Sequence, residues 1–242
     1  NDEAVNKNTE TYVAWCWKES ATAGFDIASY TGTGSARTVS HSLSAVPNWM
    51  IVKNIETGSK SWVVYHSANT SAPETEYLLL DGTGATSDFA GYFNDTAPTS
   101  SVFTVGTGSD ANASSDDFIA YLWRSVQGFS KFGSYTGNGN ADGTFVYTGF
   151  KPAWVMMKRT DSAESWHIFD NKRDVDNVIE RRVEADSSGA EHTTIDWCDF
   201  LSNGIKHRYS GTNVNASGGT FIYMAFAEAP FVNSKGVPCN AK

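Results

Sequence analysis

Apolar positions in this chain fall into short dense runs, and Ser, Thr, Asn and Gly crowd the segments between them. Trp49-Met50-Ile51-Val52-Lys53 and Trp154-Val155-Met156-Met157-Lys158 are the clearest runs. Consecutive apolar side chains serve both faces of a strand, so each run predicts a central strand of a sandwich. Pro47 and Pro152 stand at the strand entry, where a missing N–H removes no ladder bond. A turn at Glu56-Thr57-Gly58-Ser59, or at Thr160-Asp161-Ser162-Ala163, leads to a second dense run that starts at Trp62 or Trp166. Each pair reads as a hairpin. No window longer than about ten residues has good helical spacing. The best helical candidate, Asp174 to Glu184, is charged and corresponds to the strand-like Tyr77 to Leu80, which predicts an edge strand with a polar outer face.

The pattern repeats. NASSDDFIAYLW (112–123) returns as NASGGTFIYMAF (215–226), 103 residues later. SYTGTG (29–34) returns as SYTGNG (134–139) and PNWMIVK (47–53) as PAWVMMK (152–158), each 105 residues on, and WVVYH (62–66) as WHIFD (166–170), 104 on. The Gly pair of Tyr-Thr-Gly-x-Gly ends a strand, because Gly takes positive φ without steric cost. The closing runs are FIAYLWR (118–124) and FIYMAFA (221–227), and YVAWCWK (12–18) matches them, with Asn6 six residues before Tyr12 as Asn112 precedes Phe118. A period of this length is a whole small domain. The expected organisation is therefore a closing strand of an upstream repeat in 1–18, β-sandwich repeats in 19–126 and 127–234, and a tail in 235–242. Asn1 is accordingly not expected to be a natural start. The fold class is all-β: two tandem sandwiches of jelly-roll or lectin-like kind, each of about 100 residues. A run as apolar as 12–18 exposes backbone donors unless it pairs, either with an upstream domain or with the sheet of the first full repeat.

Charge narrows the partners. The net charge is −9, and the densest basic stretches, Lys172-Arg173 and Arg181-Arg182, are interleaved with Asp and Glu, so nucleic acid is excluded as a partner. No apolar run approaches the ~20 residues that span a membrane, and the acidic, polar opening has no leader pattern. Cys16, Cys198 and Cys239 hold no metal-binding interval and form no disulfide framework. Cys16, inside an apolar strand pattern, is expected to be a small buried hydrophobe.

Catalytic chemistry finds little support. There is no nucleophile elbow, phosphate loop or zinc-spaced His-Glu pair. His41, His66, His167, His192 and His207 hold no matching positions in the two repeats, and lone His residues of this kind read as solvent-facing or hydrogen-bonded spectators. The acidic stretch from Asp170 to Asp176 could offer oxygen ligands to calcium. It lacks the Gly turn and distal Glu of the known loop and carries Lys172 and Arg173, so a solvated loop is expected and no cofactor or metal is called for. A glycan hydrolase would need two carboxylates across a cleft, and Asp174, Asp176, Glu180 and Glu184 are the local cluster.

Aromatics are the remaining lead. Aromatic ring faces can hold the apolar C–H face of a pyranose while polar neighbours take its hydroxyls. Trp49, Trp62, Trp154 and Trp166 recur at matching positions, with Tyr65 and Tyr92 near in sequence, and Trp197 and Tyr209 are unmatched between repeats. The competing reading makes a Trp that begins a core strand in both repeats part of the core.

Four segments carry a resemblance: YVAWCWK (12–18), NDTAPTSSVFTVG (94–106), GFSKFGSYTGNGNADGTFVYTGFKPAWVMMKRTDS (128–162) and NASGGTFIYMAFAEAPF (215–231). Through them the chain resembles a family of repeated β domains in structural proteins of tailed bacteriophages, particularly of aquatic hosts. The resemblance covers nearly all of 10–235. It implies a virion protein of tail-fibre, spike or capsid-appendage type, located in an extracellular particle, and carries over no catalytic residue. Fibres of serial β domains assemble symmetrically, so a homotrimer bound to other virion proteins is the expected assembly. The leading expectation is a non-enzymatic appendage module that presents loops to a host-surface polysaccharide. The alternatives are a purely structural or capsid-decorating repeat and a glycan-degrading enzyme.

Overall fold

The computed structural model describes residues 7–228. The first half contains β1 (Phe25–Thr31), β2 (Arg37–Ser40), β3 (Trp49–Asn54), β4 (Trp62–His66), β5 (Glu76–Leu79), β6 (Ser87–Asp88), β7 (Val102–Val105) and β8 (Asp117–Trp123). The second contains β9 (Ser130–Thr136), β10 (Phe145–Tyr147), β11 (Trp154–Arg159), β12 (His167–Asp170), β13 (Val183–Glu184), β14 (Cys198–Leu201), β15 (Gly204–His207) and β16 (Thr220–Phe226). Among the described residues the α-helix is confined to single turns, α1 (Ala90–Phe93), α2 (Ser109–Asn112) and α3 (Thr212–Asn215). The protein is all-β, with antiparallel sheets packed as sandwiches.

Both halves use one strand order. The large sheets run β1-β8-β3-β4-β5-β6 and β9-β16-β11-β12-β13, and the small ones β2-β7 and β10-β15-β14. The closing run of each half is central. β8 pairs with β1 from Phe25↔Trp123 to Thr31↔Asp117 and with β3 from Trp49↔Trp123 to Asn54↔Phe118. β16 sits likewise between β9 and β11. The two dense runs form the expected hairpins, Trp49↔His66 and Trp154↔Asp170.

Alternation along these strands builds three cores. Met50, Val52, Phe118, Ala120 and Leu122 face the small sheet of the first half, where Val39, Phe103, Val105 and Phe93 close the core. Val155, Met157, Phe221, Tyr223 and Ala225 do the same in the second half against Val146, Phe200 and Ile205. The intervening residues Trp49, Ile51, Val64, Trp123, Trp154, Met156, Trp166, Ile222, Met224 and Phe226 form one cluster between the two large sheets. The sandwiches are thus packed face to face in four layers. Runs apolar on both faces arise because one face serves the half's own core and the other serves its sister.

The repeated Asn and the repeated Gly turn form a lock. Fully buried Asn112 donates from Nδ2 to the carbonyl oxygens of Ser35 (2.8 Å) and Gly106 (2.6 Å) and accepts the Thr33 N–H at 2.9 Å. Asn215 repeats this, accepting the Asn138 N–H at 3.0 Å and donating to the Asn140 oxygen at 2.8 Å. The second glycine of each turn has positive φ, +70° at Gly34 and +66° at Gly139. The first is required for space instead, since a Cβ on Gly32 would lie 2.0 Å from the Ala113 oxygen.

Several expectations change. Residues 12–18 form no strand. Cys16 is exposed there, not buried. The stretch Asp174 to Glu184 lies at the expected sheet edge, but only Val183–Glu184 is strand, paired with β12. The Asp174 carboxylate accepts the N–H groups of Glu180 (3.0 Å) and Arg181 (2.6 Å), which holds the preceding residues in a loop. Asn6 and the proposed 235–242 tail lie outside the described residues.

Candidate functional site

Residues 14–17 lie against the rim of the shared core and form a cleft of about 240 Å³ with Phe129, Ala153, Trp154, Phe226 and the loop 170–172. Trp17 is its centre, edge-on to Trp154 (5.2 Å between ring centroids), Phe226 (5.5 Å) and Trp123 (6.3 Å). Trp15 meets Trp154 at 6.1 Å, and Phe129 meets Phe226 at 5.8 Å. Edge-to-face contacts of this kind add about 0.5–1.5 kcal/mol each beyond burial.

A polar rim borders these rings. The buried Asp170 carboxylate is held by Arg173 Nε at 2.6 Å and by the N–H groups of Lys172 and Arg173, both at 2.9 Å. The Arg173 guanidinium lies 5.8 Å from the Trp15 ring centre, a cation–π position. Lys172 pairs with Glu228 on the surface and lowers the Glu228 pKa below the usual carboxylate range. Asn171, which lines the cleft, has a buried side-chain oxygen without a hydrogen-bond partner among the described residues. Ring faces and a charged pair can hold an apolar face bordered by hydroxyls, or an extended peptide.

The aromatics singled out in the sequence are mostly elsewhere. Trp49, Trp154 and Trp166 belong to the core shared by the halves, and of these Trp154 borders the cleft. Tyr65 and Tyr92 are buried in the first half, with the Tyr92 hydroxyl donating to Asp110 at 2.8 Å. Trp197 is buried in the second half, 5.0 Å from the half-buried Tyr209 ring. Trp62 is half-buried beneath Lys53 and lines a smaller cleft with Leu80, Asp81 and Ala185. A ring enclosed on both faces has none left for a ligand: Trp49, Trp166 and Trp197 are fully enclosed, and Tyr65, Tyr92 and Trp154 are buried. Trp15, Trp17, Phe129 and Phe226 were not singled out. The signal for them was their phase, since Trp15 and Trp17 hold the positions of Tyr121 and Trp123 in the repeat.

Three histidines are buried rather than solvent-facing. His66 Nε2 lies 3.2 Å from the Tyr223 oxygen in the other half, and burial pushes its pKa down to about 4. His167 and His207 have no hydrogen-bond partner among the described residues, and burial lowers both to about 3. His167 stacks on Trp197, whose ring also carries the buried Arg182 guanidinium at 4.3 Å. Arg182 pairs with Glu184 at 2.7 Å, leaving Nε and Nη1 without partners. Lys158 is fully buried, donates to the oxygens of Thr83 (3.1 Å) and Arg159 (2.7 Å), and is lowered by burial to about 8. Two of the carboxylates of the hydrolase alternative have local duties: Asp174 holds a loop and Glu184 an arginine. Among the described residues no three His, Cys, Asp or Glu side chains are grouped to hold a metal ion, and no helix is long and apolar enough to cross a membrane.

The sequence profile described as "Domain of unknown function (DUF7483)" matches residues 1–230. No curated protein and no solved structure matches the chain.

Proposed function

The chain belongs to the DUF7483 family, and we propose that it is a non-enzymatic structural module of a tailed-phage virion appendage. The observation that carries this reading is the shared core. The recurring aromatic positions, Trp49, Trp154 and Trp166 above all, join one β unit to the next instead of lining a reaction site. Repetition of a unit that buries a face against its sister is how a rigid rod or shell component is made. The resemblance of the sequence to virion proteins supplies the location, and a homotrimer is the assembly proposed. Antibody raised against the chain is expected to decorate purified virions on an appendage or at regular capsid positions. Purified virions that carry neither label nor peptides of this chain would overturn the reading.

A second reading, host polysaccharide recognition, rests on the cleft at Trp15, Trp17 and Phe129 with its rim of Asn171, Lys172 and Glu228. Surface polysaccharide of the host is expected to quench tryptophan fluorescence saturably, and Trp15→Ala to abolish the change. No change with the unsubstituted protein removes this reading and leaves the structural one standing.

A further inference from the structure

We propose that the second half binds a carboxylated saccharide in a cleft between β9 and β10, where Lys131 takes the carboxylate and Tyr147 the apolar face of the sugar ring. The cleft has a volume of about 480 Å³. Ser130, Lys131 and Phe132 of β9 line it, together with residues 147–149 at the end of β10 and residues 125, 127 and 128 of the link between the halves. Both β9 and β10 are edge strands of their sheets. No lining residue is shared with the cleft at Trp15 and Trp17.

The first half shows that the fold does not require this opening. Val39 and Leu43 in its core match Val146 and Phe150 in the core of the second half. Ser40 then stands for Tyr147, and Ser42 for Gly149. Asp26 stands for Lys131, since the two pair with the equivalent residues Leu122 and Ala225. The buried Asp26 carboxylate accepts the Ser42 N–H at 2.6 Å and the Ser42 hydroxyl at 2.8 Å, which draws the segment after β2 onto β1. The second half has neither group. Gly149 offers no side chain, has φ +86°, and gives its N–H to the Asn203 oxygen in the β14–β15 turn at 3.1 Å. What is a lock in one half is an opening in its sister.

The groups around the opening define the ligand. Lys131 is the one charged residue that lines it. Its ammonium lies 4.9 Å from the Tyr147 ring centre, donates to the Tyr147 oxygen at 2.8 Å, and forms no ion pair among the described residues. Two of its three donors are left for an anion. Tyr147 is 55% exposed, and its hydroxyl has no partner among the described residues. Phe145, the other exposed ring of β10, instead lies over Gly204, where a Cβ would come 2.8 Å from Phe145 Cζ. Gln127 is exposed with an amide that makes no hydrogen bond among the described residues. Ser125 Oγ accepts the Phe132 N–H at 3.3 Å and keeps its own proton to donate. An ammonium, an exposed ring, an amide and a hydroxyl around one opening match a pyranose that carries a carboxylate. A fatty acid would suit Lys131 but offer nothing to Gln127 and Ser125.

Isothermal titration calorimetry of the full chain with uronic-acid tetrasaccharides (galacturonate, mannuronate and guluronate) tests the site, with the neutral galactose tetrasaccharide beside them. At least one acidic oligomer is expected to bind, about tenfold or more tighter than the neutral one, and to weaken as added salt screens Lys131. Lys131→Gln and Tyr147→Ala are each expected to weaken binding about tenfold or more, with melting temperatures unchanged. Trp15→Ala is expected to leave binding as it was. Binding by none of the acidic oligomers, equal binding of the neutral one, or binding insensitive to both substitutions overturns the proposal. A response to polysaccharide that Trp15→Ala abolishes and Tyr147→Ala spares belongs to the other cleft, so the two sites fail separately. None of these readouts involves virions, and the virion reading stands or falls apart from them.

Discussion

Trp166, fully enclosed in the second half, donates its indole N–H to the carbonyl oxygen of Leu79 in the first half at 2.8 Å. The same ring packs against Trp49 at 5.7 Å. Around this point the loop 81–86 is held by Lys158 Nζ on the Thr83 oxygen, Glu164 N–H on the same oxygen (2.9 Å), and Thr86 N–H on the Thr160 oxygen (2.9 Å). Together with His66 on Tyr223, these bonds tie the two sandwiches across an apolar core. The halves are expected to behave as one cooperative unit.

Trp166→Phe keeps an aromatic ring but removes the indole donor, leaving the Leu79 oxygen with the Gly82 N–H at 3.2 Å. Destabilisation of about 1–3 kcal/mol is expected from the lost hydrogen bond and the smaller ring, read as a lower urea midpoint with an unchanged slope. One transition should persist by both far-ultraviolet circular dichroism and fluorescence. Two separated transitions would show that the shared core does not couple the halves.

Acid should weaken the fold through its buried histidines. An unfolded histidine has a pKa near ~6.5, whereas His66 is held at about 4 and His167 and His207 at about 3. The unfolded chain therefore binds more protons below the unfolded value. Stability is full above about pH 6.5 and falls as pH drops toward the folded values, by about 1.4 kcal/mol per pH unit for each group. His167→Val installs the residue found at the matching Val63 and removes a side chain with no hydrogen bond. Burial depresses His167 first, Arg182, Lys158 and His192 add to it, and Glu184 lies 3.8 Å from Nδ1. The variant is expected to lose about one third of the acid-side slope in denaturant titrations at pH 4 to 7.

Arg182 makes one ion pair and lies over Trp197 with two of its donors unpaired. Arg182→Ala leaves Glu184 without its partner and uncovers the ring, so a cost of about 2 kcal/mol or more is expected. Arg182→Met with Glu184→Gln should restore most of it, because the pair's attraction only partly offsets its desolvation. Equal losses in the single and double variants would show that the Arg182–Glu184 ion pair itself, and not packing, carries the stability there.

Trp17→Ala removes the ring that seats the N-terminal segment on the shared core. Trypsin cleavage after the exposed Lys18 is expected to quicken several-fold, with the melting of the remainder changed by no more than about 1 kcal/mol. Unchanged cleavage would mean that Trp15 alone holds the segment.

Much of the fold was legible as period. Residues 49–53 and 62–66, and their counterparts, read as hairpins because both faces are apolar and a turn with Gly or Asp separates them. The repeated Asn could be seen in the sequence, but its task could not: Asn112 and Asn215 reach across the chain to turns about 77 residues away. The edge at Asp174 to Glu184 was misjudged because the Asp174 carboxylate offers the backbone an alternative to the ladder. The site was less legible still. Composition marks a Trp as large and apolar, and only packing shows whether its face is covered, as at Trp49, or lies at a rim, as at Trp17.

By itself the sequence determined the all-β class, the repeat and its strand positions, because side-chain alternation and turn chemistry are local. The tertiary structure decided that the outward faces of the two large sheets meet each other, that the closing runs are central, and that residues 12–18 form no strand. Those outcomes depend on which surfaces come together, and a burial-driven contact has no sequence spacing to announce it.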